Sequence, residues 1–210
     1  MKKHRVTILT CISTILILVL LININIFQDK KSNAIGILNG SAEKKLIAKT
    51  LNDLEMSSDL IVKVKALSNN SQTIKYDEIS NIPYFGYTMR EVEILEVYSN
   101  NMNSDLNSNT IFIQEPSYYV NDDNENTFLI TYSNYMPLLS ENTYILFLNK
   151  ISDSTNTFYT AGIESGKHVL HQTITSYTNI NSELVNTDLE VLNCDESFLN
   201  INKEVLNKYK

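Results

Sequence analysis

His168 and His171, three residues apart, are the pair whose type and spacing come nearest to a metal site. On a helix, residues three apart share a face, and two imidazoles there can hold zinc. Lys167 to Ile174 reads instead as a strand, where residues three apart point to opposite faces, and a third ligand would have to come from Glu164 or Cys194. The competing reading is an ordinary histidine of a β surface. The acidic run Asp122-Asp123-Asn124-Glu125 offers oxygen ligands for calcium but lacks the alternating spacing and the glycine of a calcium-binding hand, so it reads as a solvated loop. Glu115, Glu141 and Glu164 are single carboxylates in turns, and no two form an acid–base pair by position. The chain has no Gly-x-Ser-x-Gly, no phosphate-cradling glycine loop and no Cys-x-x-Cys. Cys194 precedes Asp195 at a predicted helix start, a position that lowers a thiol pKa; a half-buried free cysteine is the plainer reading. No catalytic, cofactor-binding or metal-ligating residue is assigned on these patterns, and no cofactor is expected.

Tyrosine is the remaining feature. Tyr84, Tyr87, Tyr118, Tyr119, Tyr132 and Tyr135 cluster around strand ends and loops in the middle of the chain. Tyrosines among Asn and Ser make adhesive surfaces, because each ring gives a large contact area at low entropy cost. In a chain without Trp they also fill cores and cap sheet edges.

The elements that must position these residues are mainly strands. Leu60, Val62, Val64 and Ala66 alternate with Ile61, Lys63, Lys65 and Leu67, as in a strand with one buried face. From Tyr84 to Tyr98 the apolar phase slips, with Phe85, Tyr87 and Met89 odd and Val92 and Ile94 even, which predicts a bulge near Arg90. Thr110 to Glu115 is a strand stopped by Pro116. Tyr118 to Val120 and Thr127 to Tyr132 flank the hairpin loop Asn121 to Asn126. Thr143 to Ile151 is apolar on both faces, as expected of a central strand, and Phe158 to Ala161 and Lys167 to Ile174 complete the set around the turn Gly162 to Gly166. Leu184 to Leu192 is ambiguous between strand and irregular structure. Ser41 and Glu43 open a predicted amphipathic helix over 41–57, and Asp195 opens a last helix over 194–210, with Phe198, Leu199, Val205, Leu206 and Tyr209 as its apolar positions. Many short strands at close intervals predict a mainly β fold, a barrel or small sandwich over 58–193 with flanking helices.

The N-terminus predicts where this fold works. Basic residues from Lys2 to Arg5 precede an apolar run from Val6 to Phe27, so the segment 1–27 reads as a single-pass signal-anchor with its N-terminus inside and the rest of the chain outside the cytoplasm. The run approaches the length of a spanning helix rather than the shorter core of a cleaved signal. The alternative is secretion after cleavage near Ala34, where Ser32 and Ala34 are small. Cys11 lies inside the run and reads as a membrane-embedded cysteine. Residues 28–40 read as a linker. Without Lys2, Lys3 and Arg5 the exported part carries 14 basic against 24 acidic residues, a net charge of about −10, which repels phosphate backbones and excludes nucleic acid as a partner. With Cys194 as its single cysteine, the exported part forms no intrachain disulfide and relies on packing. About 180 residues suffice for one domain with its own core.

The order Asp59 to Val64, Val92 to Tyr98, Thr110 to Ile113, Pro137 to Leu148 and Tyr159 to His168 resembles a loose group of exported bacterial proteins with an OB-type, tissue-inhibitor-of-metalloproteinase-like barrel. The resemblance spans Asp59 to Leu170. It departs at Ser99-Asn100 and Ser117-Tyr118, where the group has Lys-Gly and Gly-Gly, and at Ser140-Glu141-Asn142, where it has Gly-Glu. It implies a barrel at the cell surface and no active site. The expected function is a membrane-anchored binding module for a protein or envelope component, inhibitor-like or immunity-like at most. The alternatives are a metal-dependent enzyme using His168 and His171, or a structural or prophage-type accessory protein.

Overall fold

A computed structural model describes residues 36–41, 46–102, 106–170 and 196–209. The predicted membrane segment, the cleavage site near Ala34, His171, Leu184 to Leu192, Cys194 and Asp195 lie outside the described residues. Among those described, no helix is long and apolar enough to cross a membrane.

The protein is mainly β, with two sheets and two helices among the described residues. In chain order these are β1 (Gly36–Gly40), α1 (Leu51–Ser57), β2 (Leu60–Tyr76), β3 (Pro83–Asn100), β4 (Thr110–Glu115), β5 (Ser117–Asn121), β6 (Thr127–Tyr132), β7 (Thr143–Lys150), β8 (Thr157–Thr160), β9 (Lys167–Val169) and α2 (Glu196–Lys208). Five strands pair into a closed ring in the order β2, β3, β4, β8, β7 and back to β2. Every junction is antiparallel except β4 with β8, which is parallel. β9 adds to β7 beside β8. The β5–β6 hairpin inserted between β4 and β7 forms a second sheet, with β1 parallel to β6 at its edge.

β7 is apolar on both faces because each face meets a different core. Tyr144, Leu146 and Leu148 point into the ring with Val62, Val64, Val92, Ile111, Ile113 and Phe158. Ile145 and Phe147 point outward, where Leu51 and Leu54 of α1 and Ile201 and Val205 of α2 cover them. Both helices therefore serve as lids over one wall of the ring. In α2 the buried residues are Phe198, Ile201, Asn202 and Val205, with Tyr209 just beyond; Leu199, expected in the core, is exposed.

Several expectations change. Among the described residues of the helix predicted over 41–57, α1 alone is helical, because Thr50 caps it: the Thr50 hydroxyl accepts from the Asp53 amide, and the Asp53 carboxylate accepts from the amides of Thr50 and Lys49. Leu46 to Lys49 is irregular. The last five residues of the predicted linker 28–40 are strand β1, whose terminal glycines admit the aromatic rings of β6: a Cβ on Gly36 would lie 2.5 Å from Phe128.

The bulge predicted in β3 near Arg90 is absent. The register of β3 with β4 is regular there, and the irregularity opposite Arg90 lies in β2, between Ala66 and Asn70; the extra residues of β3 fall at its two ends, where the pairing skips Tyr84, Leu95 and Tyr98. From Gly86 to Val92 the buried phase of β3 is even, Gly86, Thr88, Arg90 and Val92, while Phe85, Tyr87 and Met89 lie on the other face. The apolar residues had suggested a slip because the inner positions carry a glycine, a hydroxyl and a guanidinium. β9 ends at Val169, short of the predicted Ile174, among the described residues.

Candidate functional site

His168 is fully buried between Phe198, stacked at 5.6 Å, and the edge-on ring of Phe147. Its Nε2 lies 2.9 Å from the Ser165 carbonyl oxygen and its Nδ1 2.9 Å from Asn202 Oδ1. Burial lowers its pKa to about 4, so the ring is neutral at pH 7, with one donor and one acceptor nitrogen. A carbonyl only accepts, so Nε2 carries the proton. Nδ1 of the neutral ring then accepts, which requires the Asn202 carboxamide to be turned end for end so that its NH2 replaces Oδ1 against the ring. Both ring nitrogens are thus committed to the protein, and His168 is a core residue rather than a surface one. The other residues of the metal reading, His171 and Cys194, lie outside the described residues. Among those described, no group of three His, Cys, Asp or Glu side chains is placed to hold a metal.

The acidic loop is organised by itself. Asp122 accepts from the amides of Asn124 and Asn126 and from the Asn126 side chain, which holds its pKa below the usual value and closes the β5–β6 turn. Glu141 sits beside Lys65, at 2.5 Å, on the surface, and Glu164 lies in the 3-10 turn Ile163–Gly166.

Glu115 is different. It is fully buried at the end of β4: Oε1 accepts from the Tyr135 hydroxyl at 2.9 Å and the Leu138 amide at 2.6 Å, and Oε2 faces Arg90 Nε at 3.4 Å. Buried Lys167 donates to the Met136 carbonyl at 2.6 Å and lies 4.8 Å over the Tyr135 ring. Burial pushes the Glu115 carboxyl up, opposed by Arg90, the Leu138 amide, Lys167 and the Tyr135 hydroxyl. This network ties β3, β4, β9 and the loop after β6 together. Glu115 had looked like a lone turn carboxylate; the signal for its partner was the polar interruption of β3 at Arg90.

A cleft of about 570 Å³ opens on the outer side of the ring. Tyr87, Gln114 and Tyr159, which alternate with buried neighbours on β3, β4 and β8, contribute to it. Tyr84, Phe85 and Tyr132 complete its aromatic lining. The residues lining it include no Asp, Glu, Lys, Arg, His or Cys. Ile163 also lines it while holding φ +61°, unusual for a β-branched residue, directly after Gly162 at φ +64°. The cleft continues into an exposed apolar stretch at the β2–β3 hairpin end, where Ile79 is 97% and Tyr84 63% exposed. The Asp77 carboxylate holds that turn by accepting from the Ile79 and Ser80 amides and the Ser80 hydroxyl.

The structure thus divides the six tyrosines. Tyr84, Tyr87 and Tyr132 line the cleft; Tyr118 and Tyr135 are buried; Tyr119 is half-buried, its amide donating to Gln72. Gly86 makes the division possible, since a Cβ there would lie 2.7 Å from the Tyr118 ring packed against it. Tyr159 and Phe85 were not nominated among the adhesive aromatics: Tyr159 is a single ring in a four-residue strand, and Phe85 reads as part of an apolar face of β3, with no local signal of whether that face is covered. No family model matches the chain, and a search of curated proteins returns no relative.

Proposed function

We propose that this chain is a membrane-anchored, extracytoplasmic binding module in which an OB-type barrel presents the aromatic cleft and the adjoining hairpin end to another protein or an envelope component. The observation that carries the reading is the cleft: five aromatic rings on an open concavity without charged, nucleophilic or acid–base side chains along it. Such a lining favours contact by area and shape. The barrel assignment is supported by the closed five-strand order with its one parallel junction. The basic N-terminus and apolar run support the anchor and its orientation. The OB-type resemblance supports the setting at the cell surface.

Two experiments test this. Fractionation of cells expressing the full chain, with protease added outside, is expected to find it in the membrane with its C-terminal part accessible; a cytoplasmic chain sinks the reading. Chemical cross-linking in intact cells is expected to join the full chain to an envelope partner, and the Tyr84→Ala/Phe85→Ala variant is expected to lose the adduct at unchanged abundance. An adduct that persists in this variant removes the cleft from the proposal.

A further inference from the structure

The outer face of β3 and β4 carries the cleft onward in a fixed order. Outward residues on β3 are Phe85, Tyr87, Met89, Glu91 and Glu93; Met89 is paired with Gln114, Glu91 with Phe112 and Glu93 with Thr110 of β4. Phe112 is 38% exposed. An aromatic lining therefore passes through Met89 and Phe112 into two carboxylates. At the rise of a strand, Glu91 lies about 13 Å and Glu93 about 20 Å beyond Tyr87. Glu91 accepts a hydrogen bond from the Asn69 side chain; Lys65, the cross-strand neighbour of Glu93, is bridged to Glu141, and the Lys75 ammonium lies 5.7 Å from the Phe85 ring at the other end of the strip. The chain as a whole has a net charge of −7.

Resting on the binding-module reading, we infer that the cleft takes an extended, proline-rich segment of a partner protein that carries a Lys or Arg four to six residues beyond its first seated proline. Polyproline II chains are ordered before binding and dock on aromatic-lined grooves. Their exposed carbonyls accept from tyrosine hydroxyls and from the Gln114 amide, both of which line this cleft. The register gives the distance to the cation: at about 3.1 Å per residue, about four residues span Tyr87 to Glu91 and about six reach Glu93. A basic side chain there meets the acidic end of the strip, and the negative field of the chain draws it in.

The test uses the full chain in detergent micelles with three probes: fluorescent decaproline, the same peptide ending in two arginines, and chitotetraose as a neutral glycan. The arginine peptide is expected to bind saturably and about tenfold more tightly than decaproline alone, an advantage that shrinks in high salt. Glu91→Gln/Glu93→Gln is expected to bring the two peptides to within about threefold, and Tyr87→Ala or the exposed Phe85→Ala to weaken both, with melting temperature confirming that each variant is folded. Absence of peptide binding, binding indifferent to these substitutions, or preference for chitotetraose overturns the inference. If the envelope adduct of the full chain still depends on Tyr84 and Phe85 while the peptides fail, the module reading stands and only the peptide class is wrong.

Discussion

At the scale of single residues, His168 links burial to pH. Its pKa in the folded chain is lowered to about 4 from an ordinary 6.5. Above pH 6.5 the ring is neutral in both folded and unfolded chains, and its contribution is fully present. As pH falls from 6.5 toward 4 the unfolded chain takes up a proton that the folded chain refuses, and about 3 kcal/mol of stability is lost. Urea titrations at pH 7.5 and 4.5 are expected to show this drop, and His168→Gln, which keeps a donor for Ser165, is expected to reduce it; an equal drop in both proteins refutes the assignment. Glu115→Gln is expected to cost about 3–5 kcal/mol, because Arg90 then stays buried without its counter-charge. Adding Arg90→Met is expected to recover part of that loss, a coupling that a double-mutant cycle measures directly.

At the scale of elements, two short features hold the lids on the ring. Thr50 and Asp53 cap α1, which has only seven residues and little intrinsic stability. Thr50→Ala is expected to lower stability by about 1 kcal/mol, read as a shift in the urea midpoint without a change in slope. Gly166 ends the 3-10 turn where the chain re-enters as β9, and a Cβ there would lie 2.4 Å from the Ala161 carbonyl oxygen and 2.9 Å from that of Phe147. Both obstacles are backbone, so Gly166→Ala is expected to cost about 1–3 kcal/mol by displacing β9. The same change at Gly40, whose nearest atoms at 3.0 Å belong to the Tyr132 ring, is expected to cost less, because that side chain can move.

At the scale of the whole molecule, the ring sets a gradient of stability. β7 pairs with β2, β8 and β9 and is covered on both faces, whereas β2 from Ser68 to Tyr76 is largely exposed, with β3 as its hydrogen-bonded partner. Hydrogen exchange is expected to protect the amides of Ile145, Leu146 and Phe147 longest and to release Ser71 to Lys75 early. Early exchange in β7 contradicts the closed ring as the core of stability. The more exposed half of the hairpin is the half that adjoins the cleft, so early opening there would let the proposed binding surface adapt without loosening the ring.

The sequence alone determined what depends on local periodicity and composition. The alternation in Leu60 to Ala66, the doubly apolar β7, the Asn121–Asn126 turn and the stop at Pro116 are written in neighbouring residues, because strand geometry repeats every two positions and Pro lacks a ladder donor. Tertiary structure decided the rest. The inner phase of β3 was illegible because Gly86, Thr88 and Arg90 face inward toward Tyr118, Ser117 and Glu115, partners about 25 to 32 residues away in the chain. His168 became a core residue because α2 brings Phe198 and Asn202 to it from 30 and 34 residues away. The cleft exists because β8 lies parallel beside β4, setting Tyr159 near Gln114 and Tyr87. Burial and concavity depend on which distant strands close the ring, and spacing within one strand carries no record of that closure.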